Sequence, residues 1–359
     1  MAKDKKADNK AENKAENKAE QKASKKKNRK ITCDMPEIKK TTIGGQALIE
    51  GVMMVGPKRT CIAVRKGDGT IHVEELPQTE KVTYFETVPF IRGCIRFYKM
   101  LVTGTGALMK SADISEEGKP EEKKEGGEEE KKSLLDRYFE KHYNLMITLS
   151  AIIGIILSVG IFLLLPKVIV DIVARYIVDE VYNTIGVSVL LNLIEGFLRI
   201  MFFFTYLVFA SKLEDVNRVW KYHGAEHKTI ACYEAGMPLT PENVMKFPRF
   251  HPRCGTAFMF IVMAISILIY TLAGVVIGEQ SMLINVLLRV ILVPIICGIS
   301  FEILRFVGRH DKNPFCRFLS KPGLWLQNFT TDEPDVKICE VAIASMMAVI
   351  PENSEDDVW

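Results

Sequence analysis

The chain has 359 residues, room for two or three compact units, of which 48% are hydrophobic. Its formal net charge of +3 is what 47 basic and 44 acidic residues leave after cancelling, so it demands no polyanionic partner, and no nucleic acid is expected. The eight cysteines (Cys33, Cys61, Cys94, Cys232, Cys254, Cys297, Cys316, Cys339) show neither CxxC pairing nor framework spacing, which excludes a disulfide-stapled scaffold and favours free thiols or metal ligands.

Residues 1–40 begin with repeated Asn-Lys-Ala-Glu and a Lys/Arg cluster, which predicts a disordered basic tail with no cleavable signal peptide. Residues 41–112 predict a small cytoplasmic β-rich unit plus an interfacial helix. Ala47 to Val55 is an apolar strand containing Glu50, and Gly67-Asp68-Gly69 between two alternating runs predicts a hairpin. Gly44-Gly45-Gln46 is too short a motif to carry a functional assignment. From Pro89 to Met109 an apolar helix carries Arg92, Arg96 and Lys99, which suits a membrane surface or the β unit better than the bilayer interior. Arg92 or Arg96 is the expected partner of Glu50, whose carboxylate is costly to bury alone. Residues 113–135, rich in Glu, Lys and Gly, predict a disordered charged linker.

A membrane helix needs about 20 predominantly apolar residues. Four stretches within 136–330 qualify: 143–165, ending at Pro166-Lys167; 185–210, with Glu195 and Arg199; 255–278; and 282–304, with Arg289 and Glu302. The fold class is therefore a mainly α-helical polytopic membrane protein with about four transmembrane helices and a small N-terminal β-rich unit. Loop 211–254 carries Lys212, Arg218, Lys221, Lys228, Lys246, Arg249 and Arg253, whereas no Lys or Arg separates the last two spans. The positive-inside rule then places this loop and both termini in the cytoplasm, in a multi-pass protein of the cell membrane. Residues 331–359 read as a cytoplasmic C-terminal tail. Glu195 and Arg199, four apart, pair with each other or mark a substrate or proton path; Arg289 reaches across to Glu195 or snorkels outward, and Glu302 is placed to reach the His-rich loop.

That loop holds three of the chain's six histidines. Residues 213–235 predict a helix bearing Tyr222-His223-Gly224-Ala225-Glu226-His227-Lys228. His223 and His227 project from one face about 6 Å apart, which suits a shared divalent metal. Glu226 beside them is a third ligand or the base for a metal-activated water, as in the His-x-x-Glu-His pattern of inverted zincins. Glu234 lies on the same face. His251 and Cys254, in His251-Pro252-Arg253-Cys254-Gly255-Thr256, complete the candidate ligand set, which favours zinc, with iron or manganese when oxygen ligands dominate. The bland alternatives are interfacial histidines, a Glu226 paired with Lys228 or Arg218, and an ordinary buried thiol.

In order along the chain, Gly44 to Met54, Pro89-Phe90-Ile91-Arg92-Gly93, Tyr222 to Thr229, Tyr233-Glu234-Ala235-Gly236 and His251 to Thr256 resemble the YqhQ-like family of bacterial membrane proteins over roughly residues 41–330. The resemblance implies a bacterial inner-membrane protein described as a predicted metal-dependent enzyme of unknown function, with joint importance of the His cluster, Glu50 and Arg92. The leading expectation is a hydrolase-like enzyme at the cytoplasmic membrane face, in contact with the lipid bilayer, acting on an unknown substrate and free to form oligomers. The alternatives are a non-catalytic metal-binding protein or transporter, and a membrane scaffold for cytoplasmic partners.

Overall fold

In the computed structural model the described residues are 40–77, 84–118, 149–150, 153–154, 156–177, 185–278, 282–310, 312–353 and 356–357. Residues 1–39 of the predicted basic tail and 119–135 of the predicted charged linker lie outside them, whereas residues 113–116 of that linker are the last turn of a helix in which Ile114 and Ser115 are buried.

Four strands, β1 (Gly44–Leu48), β2 (Gly51–Val55), β3 (Thr60–Arg65) and β4 (Ile71–Leu76), form an antiparallel meander in the order β1-β2-β3-β4. The stretch 47–55 is two strands rather than one, because Leu48 pairs directly with Gly51 and the chain reverses through Ile49 and Glu50. Glu50 takes a left-handed φ of 51° there. Neither central position of the turn is Gly, Asn or Asp, so its usual signal is missing. The β3–β4 hairpin turns at Gly67-Asp68-Gly69 as expected, with the Thr70 N–H donating to Asp68 Oδ1 at 2.8 Å.

Side chains alternate across the sheet with period two, and both faces are covered. Leu48, Met53, Ile62 and Val64 pack on Ala107 and Ile114 of helix α1 (Ile91–Glu116). Val52, Met54, Cys61 and Ala63 pack on two helices from distant parts of the chain, α4 (Glu214–Glu234) and α9 (Val336–Val349). The C-terminal segment expected as a tail is thus part of the core. Ile338, Cys339, Val341, Ala342, Ser345, Met346 and Val349 form its buried helical stripe. Each large apolar side chain fully buried here, such as Met54, Ile230 or Met346, contributes about 1.5–3 kcal/mol. That burial seats α4 on the sheet.

Four described helices are long and apolar enough to cross a membrane: Ile156–Ala174, Gly186–Ala210, Gly255–Ile277 and Ile284–Arg309. They lie in the π-turn at Gly160–Leu164 with α2 (Leu165–Ile177), and in α3 (Ile185–Ala210), α6 (Gly255–Ile277) and α7 (Met282–Arg309). The first span continues through Pro166 and Lys167 instead of ending there. Pro166 has no N–H to offer the carbonyl of Phe162, four residues earlier; Arg199 Nε donates to that carbonyl at 3.2 Å. Lys167 pairs one turn on with Asp171 at 2.6 Å.

Helix α1 packs on the β unit, as one of the two expected settings had it, and on the spans as well. Gly93 meets Gly298 and Phe301 of α7, where a Cβ would come within 2.7 Å of Phe301 Cβ, and Phe97 packs against Phe258 of α6. Further along, Gly104 touches Gln46 and Ser111 Oγ accepts from the Ile49 N–H. The helix is a strut from the spans to the sheet. Short α5 (Pro241–Val244) follows α4, whose C-terminus is closed by Gly236 at φ 66° and a Met237 N–H to Cys232 carbonyl bond. Helix α8 (Pro314–Thr330) crosses the start of α6, its Gly323 tight against Ala257.

Candidate metal centre

Helix α4 presents His223, Glu226 and His227 on one face, with the two imidazole centroids 4.4 Å apart. Each ring is oriented through Nδ1 by a backbone carbonyl: His223 by Thr330 at the end of α8, 2.7 Å away, and His227 by Arg249, 2.6 Å away. An Nδ1–H donated to a carbonyl leaves Nε2 as the lone-pair atom. Nε2 of His223 lies 3.2 Å from Cys254 Sγ. Cys254 caps the N-terminus of span α6, so the thiol stands at the edge of an apolar helix. One ring nitrogen from each histidine and the Cys254 sulfur all lie within 4.8 Å of one another, and His227 and Cys254 are buried.

Glycine makes the approaches possible. A Cβ on Gly224 would lie 2.1 Å from the Asp332 carbonyl oxygen, so only glycine lets α4 meet the segment after α8 so closely. A Cβ on Gly45 would lie 2.7 Å from the Met53 carbonyl and 3.0 Å from Glu226 Cγ. The Glu226 side chain lies against the Gly45 backbone, which opposes the rise of its pKa, and its Oε2 is 3.8 Å from His223 Nε2.

The charges are strongly coupled. Burial alone would raise the Cys254 thiol, yet the imidazoles of His223 and His227 hold it well below the usual thiol range. Burial alone would depress His223, but chiefly the Cys254 thiolate, with Glu226, pushes it up to about 9. Burial raises Glu226 against the opposing pull of both histidines. A thiol and an imidazole nitrogen that share a proton are a ligand pair from which a binding cation displaces that proton.

The other expected site residues fall into separate groups. His251 stands beside the trio, its ring 5.6 Å from that of His227. Its backbone is clamped on both sides by the Gln327 amide, at 2.8 and 2.7 Å, and its Nε2 is 3.9 Å from Glu234 Oε2. Burial depresses its pKa. Glu234 accepts from the Thr41 N–H at 2.8 Å and pairs with Arg253; despite burial, chiefly the neighbouring His251 ring and these contacts keep its carboxyl low.

Glu50 is held by Arg218 and by the Tyr222 hydroxyl at 3.1 Å, not by Arg92 or Arg96. The hairpin turn aims it at α4, and the strut carries Arg92 away to Glu302 of α7. Glu302 is therefore not available to the His cluster. Arg96 instead lies over the Phe301 ring. Glu226 pairs with neither Lys228 nor Arg218, since Lys228 reaches Glu333 at 2.7 Å. Glu195 and Arg199 do pair, joined by Arg289, but inside the spans and apart from the histidines. Sequence reasoning missed the carbonyls of Thr330 and Arg249 and the clamp of Gln327, since a carbonyl is the same at every residue. Gly45 was visible but discounted.

The fold and cluster define a membrane protein with an extramembrane α/β unit and a His-His-Cys group at the seam between them. Residues 88–352 match the family described as protein of unknown function DUF1385, and the chain belongs to that family. It is also similar to the uncharacterized protein YqhQ of Bacillus subtilis (strain 168), 33% identical over 308 residues that cover 84% of this chain and 90% of that protein. No solved structure matches significantly.

Proposed function

We propose that this protein is a membrane-bound, metal-dependent hydrolase with its centre at the cytoplasmic membrane face. The observation that carries the reading is the convergence of His223, His227 and Cys254 ligand atoms within 4.8 Å. Both rings are fixed from behind by carbonyls, the usual second-layer arrangement of metal-binding histidines. Three protein ligands and an open position characterise catalytic zinc sites, and imidazole with thiolate favours zinc over iron or manganese. The seven Lys and Arg of residues 211–254 support the cytoplasmic placement.

The chemistry such an ion supplies is Lewis acidity, lowering the pKa of water to about 7 and polarising a carbonyl or phosphoryl oxygen. Glu226 is the proton carrier. It takes the proton as the water oxygen bonds to the electrophilic centre, then returns it to the leaving group as that bond breaks. The Gly45 backbone, packed against the Glu226 side chain, confines the carboxylate for this transfer.

One contact favours a second reading. Glu226 Oε2 is near enough to His223 Nε2, 3.8 Å, to serve as a fourth ligand. That would close the site and make it structural. Elemental analysis of detergent-purified protein without a histidine tag separates the two. The hydrolase reading expects about one metal ion per chain in the wild type and in Glu226→Gln, and none in His223→Ala/His227→Ala. Metal lost from Glu226→Gln favours the closed site. No metal in the wild type after reconstitution with zinc, iron and manganese sinks both.

A further inference from the structure

Span α3 has an outward feature that the metal centre does not use. A groove of ≈ 440 Å³ runs along it, lined by Phe197, Met201, Phe204, Thr205, Val208 and Phe209 among others. Phe197 and Phe209 are each 66% exposed. Because the groove lies on a span of 25 residues, the material beside it is the acyl region of the bilayer.

Helix α8 touches one groove residue: Phe204 packs against Trp325 at 5.1 Å and Phe329 at 6.3 Å. Across its 17 residues α8 carries Arg317 and Lys321 and no carboxylate. It also exposes Phe315, Phe318 and Trp325. A cationic amphipathic helix of this kind suits the headgroup plane of an anionic surface. Lys212 Nζ lies 5.6 Å over the ring of Phe209, a groove residue, and on α8 Lys321 Nζ lies 5.9 Å over that of Phe318. Glu214 and Asp215, in the first turn of α4, offset Lys212 in part; the α8 cations have no acid on their own helix. One residue beyond Phe329, the Thr330 carbonyl holds His223.

We propose that this groove seats an acyl chain of a membrane lipid with an anionic phosphate headgroup, met by Lys212 and the cationic face of α8. Lipids of this class are then what the metal centre hydrolyses: a water oxygen bonds to the headgroup phosphorus as the bond to the headgroup alcohol breaks, and Glu226 passes the water's proton to that alcohol. The second statement rests on the hydrolase reading; the first stands without it.

The test uses the full chain in phosphatidylcholine nanodiscs with a trace of phosphatidylglycerol or phosphatidylcholine carrying a diazirine on its acyl chain. Irradiation and peptide mapping are expected to place phosphatidylglycerol label on residues 197–209 and α8, several-fold above phosphatidylcholine label. Met201→Trp, which fills the groove, is expected to remove most of it. The surface pair Lys212→Glu/Lys321→Glu is expected to abolish the headgroup preference with metal content unchanged. Equal labelling by the two lipids, or label spread evenly over all four spans, overturns the groove. Lipid analysis of the same nanodiscs addresses the substrate: phosphatidylglycerol loss that disappears in Met201→Trp while metal is retained supports it, and no loss in metal-loaded wild type overturns it. Selective capture by a wild type that holds no metal keeps the groove and sinks the enzyme.

Discussion

Two guanidiniums share one carboxylate inside the spans. Arg199 Nη2 donates to Glu195 Oε1 and Arg289 Nη2 to Oε2, each at 2.7 Å, and no side chain of the three is more than 10% exposed. Both arginines lie 5.2 Å from the centroid of the Tyr270 ring, so only Glu195 keeps two like charges at close quarters. Glu195→Gln retains the shape and removes the charge. Unit charges about 4 Å apart interact by roughly 4 kcal/mol at an effective dielectric of 20, and breaking a buried pair by removing one partner costs about 3–5 kcal/mol. The expected loss of unfolding free energy is in that range, read from the unfolding midpoint in mixed micelles titrated with sodium dodecyl sulfate. Glu195→Gln/Arg289→Gln is expected to recover part of it, because one unpaired cation is then gone and Arg199 keeps the Phe162 carbonyl. A single variant within about 0.5 kcal/mol of wild type, the range of neutral surface changes, refutes the claim that this triad clamps the spans.

Gly224→Ala places a methyl 2.1 Å from the Asp332 carbonyl oxygen, so α4 must move away; the expected cost is about 1–3 kcal/mol, with disturbed His223, seen as a lower melting temperature and lost metal retention. An unchanged melting temperature would mean that the backbones are not so close. Asp357 accepts from Thr41, Thr42 and Tyr233. Burial opposes its charge, yet these bonds hold its carboxyl below the ordinary value. A depressed folded pKa adds stability above the unfolded value of about 3.9, lost as pH falls through the folded one. The stability gap between wild type and Asp357→Asn in urea is therefore expected to shrink from pH 7 towards pH 3, and a constant gap would refute the assignment.

Hydropathy made the four spans legible because each apolar run is local in sequence. The His223/Glu226/His227 face was equally legible, since helical periodicity alone brings those residues together. What depends on the chain's return was not. Helix α9 has an apolar stripe, but nothing local says that it covers the same sheet face as α4, more than a hundred residues earlier. The partner of Glu50 was misread for the same reason: the turn at Ile49-Glu50 lacks a turn signature, and a carboxylate placed inside a strand points somewhere else. Pro166 misled in the opposite direction. Its usual effect is to end a helix, whereas here a π-turn and a donor from the neighbouring span carry the helix through it.

The cluster joins two parts of the molecule, because His223 and His227 belong to the helix seated on the sheet while Cys254 begins a span. Cys254 thus has two separable jobs. Its sulfur accepts from the Thr256 N–H as the cap of α6 at 3.5 Å, and it faces His223 Nε2 at 3.2 Å. Serine is a good N-cap and alanine is a poor one, a difference of about 1 kcal/mol. Cys254→Ser is therefore expected to keep α6 capped and lose the thiolate, and Cys254→Ala to lose both. Denaturation should rank Ser above Ala by about that cap energy, while metal retention should fall alike in the two, because a hydroxyl replaces thiolate poorly at a zinc-type site. Equal stabilities would remove the capping role. Full metal retention by the serine variant would remove sulfur from the ligand set, leaving two histidines on one helix and no tie between sheet and span through the metal centre.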